Sequence, residues 1–131
     1  MFKKLILVSL FTSFALASFA QKHKLIVGTY TNKTTSEGIY VYDFDSKTAE
    51  TKQLNIIKNV SNPSYLALSP NKKMLYAVYE DGKNSAASAI RFGPKSGDAK
   101  FLNKEATNGQ NPCFILTDGK NVLTANYSGG S

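Results

Sequence analysis

The 131-residue sequence carries a formal charge of +7, with one cysteine and one histidine. Its lysines are scattered and Arg91 is its lone arginine, so the clustered basic stripe of a nucleic-acid binder is missing and no nucleic-acid partner is expected. Cys113 alone builds no internal disulfide framework, and with His23 it leaves no His/Cys zinc site, so neither a metal nor another cofactor is implied.

The chain opens with MFKK, continues through the apolar run LILVSLFTSFAL and passes into ALASFAQ. A positive start, a run short for a membrane span, and small residues at a cleavage point are the layout of a secretory signal peptide, assigned to residues 1–20. Cleavage is expected after Ala20, with Ala17 as the other possibility; an uncleaved anchor is the competing reading. No cysteine follows the run, which argues against a lipoprotein anchor. The expected location is exported, periplasmic or extracellular, with no stable membrane insertion once the leader is removed. The lone thiol, in NPCFIL at a strand start, is expected to be buried and inert.

After the leader, the spacing predicts short strands and turns, with no persuasive 3.6-residue apolar period. Residues 24–60 hold KLIVGTYT, IYVYDFD and a third strand around TKQL. Residues 61–108 hold four: SYLALS, MLYAVYE, SAASAIRF and AKFLNKEA, labelled A to D. Their separators, SPNKK, EDGKNS and GPKSGD, are rich in turn residues. Residues 109–131 begin a third unit with NPCFILTD and NVLTANYS, strands A and B.

These units repeat. Tyr30, Tyr79 and Tyr127 lie 49 and 48 residues apart; Phe44 and Phe92, and Leu54 and Leu102, lie 48 apart; Asn62 and Asn111 lie 49 apart. A repeated four-stranded antiparallel unit of this length is a propeller blade, so the expected fold is an all-β propeller with about two and a half blades present. A β-sandwich is the alternative. The first unit lacks an A strand, which a strand from elsewhere supplies in a closed ring, removing an unpaired edge. Three partial blades do not close a ring, so the sequence is read as the N-terminal part of a longer protein.

Strands that alternate in direction bring the D→A and B→C connections to one face. That face collects Tyr30, Asn62, Glu80, Asn111, Asn126 and Tyr127. Glu80, at a strand end, is the candidate general base or hydroxyl clamp; a solvated turn charge beside Asp81 is the plainer alternative. Asn126 is the candidate donor to a carbonyl or oxyanion, with Gly129 and Gly130 allowing a tight turn beside it. Asn62 and Asn111 precede proline and are read either as substrate contacts or as turn caps. Tyr30 and Tyr127 are read either as substrate contacts or as packing between blades. Asp43 and Asp45 belong to the opposite face and are not a metal pair. Asn32, Asn59 and Asn126 each begin an N-x-[ST] triplet.

The stretches VGTYT, GIYVYDFD, NPSYLALSPNKKMLYAVYE and NPCFILTDGKNVLTANYSGGS together resemble the lactonase family of seven-bladed propellers, known for 6-phosphogluconolactonases of the propeller type. The resemblance covers nearly all of the segment after the leader, about a third of such a protein. It implies seven blades in the full-length protein and hydrolysis of a sugar lactone to the aldonic acid, of the 6-phosphogluconolactone type or a related aldonolactone. Such a small-molecule lactone is the implied partner. The family often reads Pro-Cys-His where this chain has Pro112-Cys113-Phe114, which removes one proton carrier. Histidines and arginines that the family carries in later blades are not in this sequence, so the segment by itself is expected to be inactive. A non-enzymatic exported propeller that binds a carbohydrate or a protein is the alternative function.

Overall fold

The computed structural model describes residues 22–131, so the expected signal peptide lies outside the described residues. Strands β1 (Lys22–Val27), β2 (Ile39–Asp45) and β3 (Thr51–Ile57) form one antiparallel sheet in that order. Strands β4 (Leu66–Leu68), β5 (Met74–Tyr79), β6 (Ala86–Phe92) and β7 (Ala99–Ala106) form a complete four-stranded sheet. Strands β8 (Pro112–Thr117) and β9 (Val122–Asn126) form the third. Most neighbours in order are joined by short turns, as Gly, Asn, Asp and Ser at the separators dictate, while a longer loop over 28–38 joins β1 to β2. One 3-10 turn, Gly82–Asn84, sits between β5 and β6. Among the described residues no helix is long and apolar enough to cross a membrane.

The sheets pack face to face. Ile39, Val41, Ile57 and Val60 of the first meet Leu75, Ala77, Ile90 and Phe92 of the second in one buried cluster. The alternation in β6, buried at Ala86, Ser88, Ile90 and Phe92, follows from the two-residue period of a strand with one face on a neighbouring sheet. Burying each large side chain here is worth about 1.5–3 kcal/mol. The third sheet continues the stack, with β8 against β4 and β5 and Ile115 buried. Gly28 permits a close approach between the first two units, because a Cβ there would lie 2.0 Å from the Pro63 carbonyl oxygen.

The repeat is also visible in the irregularities. Between Val41 and Tyr42 the β2–β3 register jumps from Asn55 to Gln53, skipping Leu54. Between Ala89 and Ile90 the β6–β7 register jumps from Asn103 to Phe101, skipping Leu102. The two bulges are thus placed alike, and the 48-residue spacing of the leucines marks the same position in each D strand.

One sequence equivalence fails. A 49-residue match of Tyr30 with Tyr79 would also match Ile26 with Leu75. Both pack into the same interface from facing sheets, so they lie on opposite faces of their own sheets. Leu75 pairs with Ile90 beside one bulge as Leu25 pairs with Tyr42 beside the other, so Leu25 is the true counterpart of Leu75. A one-residue slip reverses every side chain in a strand, and Tyr79 accordingly closes β5 while Tyr30 lies in the loop beyond β1. Tyr79 and Tyr127 do match: the next residues, Glu80 and Ser128, donate their N–H groups to Ser61 and Gln110, each just before an Asn-Pro pair.

Candidate functional site

The D→A and B→C connections meet at one end of the sheets, held there by Asn62 and Asn111. Both adopt left-handed backbone, with φ of 43° and 52°, which Asn tolerates better than most residues and which avoids the αR region disfavoured before proline. The prolines that follow, Pro63 and Pro112, are fully buried. Asn62 Oδ1 accepts from the N–H groups of Thr31 and Asn32, both at 2.9 Å, and its Nδ2 donates to the Glu80 carbonyl at 3.1 Å. Its own N–H donates to Thr31 Oγ1 at 3.1 Å. Asn111 repeats the arrangement one unit on: its N–H donates to Ser85 Oγ at 3.0 Å and its Nδ2 to Ser128 Oγ at 2.9 Å. Each asparagine therefore ties the B→C loop of one unit to the end of the B strand of the next.

Glu80 follows β5 directly and is half-buried. Its N–H donates to the Ser61 carbonyl, its carbonyl accepts from Asn62, and its Oε1 accepts from Ser64 Oγ. Ser64 was not among the residues the sequence singled out; it looks like the first residue of an ordinary strand.

Asn126 closes β9 and is 6% exposed. Its Nδ2 donates to the Thr107 carbonyl at 3.4 Å and to Ser131 Oγ at 3.2 Å, while its Oδ1 is buried with no partner among the described residues. The free valence is thus an acceptor, suited to a hydroxyl or a water, rather than the oxyanion donor anticipated from sequence. Gly109 lies over this amide so closely that a Cβ there would meet Asn126 Nδ2 at 2.4 Å.

Tyr30 and Tyr127 are 57% and 83% exposed, and Tyr127 reaches the cluster through its N–H, which donates to the Asn111 carbonyl. Beside this loop junction lies a cleft of about 380 Å³, lined by Lys83, Ser85, Asn108, Gly109, Gln110 and Gly129. Lys83 is a cation at this end that sequence reasoning passed over as part of a turn. The structure therefore joins Asn62 to Glu80 and Asn111 to Tyr127 through direct hydrogen bonds, with Asn126 under the neighbouring loop and Tyr30 on the rim.

The opposite end carries the perturbed carboxylates. Asp43 accepts from Lys24 Nζ at 2.6 Å, and that ion pair lowers its pKa. The N–H groups of Lys47 and Thr48 lower that of Asp45, and those of Asn121 and Lys120 lower that of Asp118. Asp45 and Asp118 cap turns, Asp43 pairs across two strands, and among the described residues no group of three or more His, Cys, Asp or Glu is placed to hold a metal ion. Cys113 corrects the expectation of a buried thiol. It is exposed, as are Phe114 and Leu116 of the same strand, and the β8–β9 register jumps from Pro112 to Phe114 at this residue.

Residues 24–131 match the family described as lactonase, 7-bladed beta-propeller. The chain belongs to this family. Its three sheets are about two and a half of the seven blades, each complete blade having four antiparallel strands. The chain is 35% identical over 108 residues to a 6-phosphogluconolactonase of Formosa agariphila, covering 79% of this chain and 31% of that protein. It is 35% identical over 106 residues to a 6-phosphogluconolactonase of Bacillus subtilis, covering 79% and 30%. Among solved structures, it is similar to the periplasmic gluconolactonase of Pseudomonas aeruginosa, with 35% identity and a TM-score of 0.75, covering 82% of this chain and 32% of that one. The chain thus spans about a third of the length of these relatives.

Proposed function

We propose that this chain is the N-terminal portion of an exported lactonase that hydrolyses a sugar lactone to the aldonic acid, with 6-phosphogluconolactone or a related aldonolactone as substrate. The observation that carries the proposal is the match of residues 24–131 to the lactonase family, with two relatives that bear the 6-phosphogluconolactonase name. The periplasmic relative supports an exported location.

Within this reading Glu80 orients the attacking water or grips a sugar hydroxyl, since an ionised carboxylate accepts hydrogen bonds and general-base work needs contact within about 3 Å. Asn126 offers Oδ1 to a hydroxyl. Asn62 and Asn111 brace the loops that carry these groups, while Tyr30 and Tyr127 supply aromatic rim contacts to a sugar. Lys83 adds positive charge beside the site, which favours an anionic substrate or product.

The test is lactone hydrolysis by the complete protein, with the spontaneous rate subtracted. The proposal expects acceleration with glucono-1,5-lactone or its 6-phosphate. A rate equal to the uncatalysed one with both compounds and with muconolactone would overturn it.

A further inference from the structure

We infer that Ser64 is a positioning residue for Glu80, holding one carboxylate oxygen so that the other faces the substrate. The inference rests on the lactonase reading above and assigns a role that reading leaves open. Ser64 Oγ donates to Glu80 Oε1, while Oε2 has no hydrogen-bond partner among the described residues. The Glu80 backbone is already fixed on both sides, by Ser61 through its N–H and by Asn62 through its carbonyl. Only side-chain rotation is left free, and the Ser64 hydroxyl removes it.

Ser64 is itself held in place. The left-handed Asn62 and the buried Pro63 turn the chain tightly, and the Ser64 N–H donates to the Asn62 carbonyl at 2.7 Å. The same asparagine that fixes the Glu80 carbonyl thereby aims the hydroxyl at the Glu80 carboxylate.

The repeat separates framework from site. In the third unit the framework recurs: Asn111 is left-handed, Pro112 is buried, and Ser128 N–H donates to Gln110 as Glu80 N–H donates to Ser61. The pair itself does not recur. Cys113 stands where Ser64 would be, and Ser128 where Glu80 would be. The Asn-Pro joint between the A and B strands therefore forms without the serine–glutamate pair, and a contact that this joint does not require is left for chemistry.

The test is a double-mutant cycle in the complete protein, with glucono-1,5-lactone as substrate and Ser64→Ala, Ser64→Thr, Glu80→Gln and the Ser64→Ala/Glu80→Gln double variant. A misplaced catalytic group costs on the order of tenfold to a hundredfold. Ser64→Ala is expected to lower kcat by about that much with KM nearly unchanged, and Ser64→Thr to recover most of the loss. In the Glu80→Gln background Ser64→Ala should add nothing, because the two residues act as a unit. Where Glu80→Gln is impaired, losses that multiply in the double variant, or a Ser64→Ala enzyme with wild-type kcat, would overturn the inference.

A crystal structure of Ser64→Ala supplies a readout independent of activity. The inference expects the Glu80 carboxylate to leave its position or to occupy several rotamers; an unmoved carboxylate would refute it. If Glu80→Gln keeps full activity while Ser64→Ala releases the carboxylate, the positioning contact stands and the catalytic reading of Glu80 falls.

Discussion

Replacing Asn62 by alanine should loosen the joint between the first two blades. The asparagine side chain satisfies two N–H groups, on Thr31 and Asn32, and one carbonyl, on Glu80. A net hydrogen bond is worth about 1 kcal/mol, and alanine in left-handed backbone costs about a further 1–2 kcal/mol. Asn32 is exposed and Thr31 half-buried, so water recovers part of the lost bonding. The expected loss for Asn62→Ala is therefore about 2–3 kcal/mol. Asn62→Gly should lose about 1 kcal/mol less, since glycine accepts the positive φ. Urea unfolding of the complete protein gives the global figure. Amide hydrogen exchange gives the local one, with Thr31 and Asn32 expected to exchange at least about tenfold faster, as a loss of ~1.4 kcal/mol implies. A change under about 0.5 kcal/mol, with exchange at Thr31 and Asn32 unaltered, would refute the clamp.

Ile90→Ala, at a fully buried position between the first two sheets, should cost about 2–5 kcal/mol in the same unfolding assay; a cost under ~1 kcal/mol would mean that the sheets do not pack as described. Gly28→Ala should destabilise although glycine-to-alanine often stabilises, because the new methyl would press on the Pro63 carbonyl; an unchanged or raised melting temperature would contradict that close approach. The Lys24–Asp43 pair lowers the folded pKa of Asp43 below 3.8. The stability it adds is present above that value and lost as pH falls through the lower, folded pKa. Asp43→Asn should accordingly flatten the acid limb of stability against pH, and an unchanged limb would show that the pair contributes nothing there.

The blade was legible in the sequence because local rules and tertiary packing agree. Turn residues punctuate it, and the strand that alternates in sequence, β6, alternates in burial. The shared loop end was legible too, since strand direction alone decides which connections meet. Side-chain facing was less so. The Tyr30–Tyr79 match looked natural by letter, yet the β1–β2 connection is longer than the β5–β6 connection, so equal spacing from the C strand does not mark equal positions in the B strands. Cys113 was hidden too: it lies in an apolar run, yet this two-stranded sheet leaves it exposed together with Phe114 and Leu116. Ser64 was invisible for a different reason: its importance lies in meeting Glu80 across the β4–β5 hairpin. Comparison of repeat units supplies the signal that was overlooked, because Ser64 and Glu80 differ from their counterparts, Cys113 and Ser128, while Asn62 and Pro63 match theirs.

The central claim is that the carboxylate at the end of β5 acts on a lactone bound where the loops of adjacent blades meet. Its most direct test is kcat/KM for glucono-1,5-lactone in the complete, folded Glu80→Gln protein. Loss of a general base predicts a fall of roughly a hundredfold or more at an unchanged melting temperature. A Glu80→Gln enzyme as efficient as the wild type would contradict it and move the chemistry to other residues.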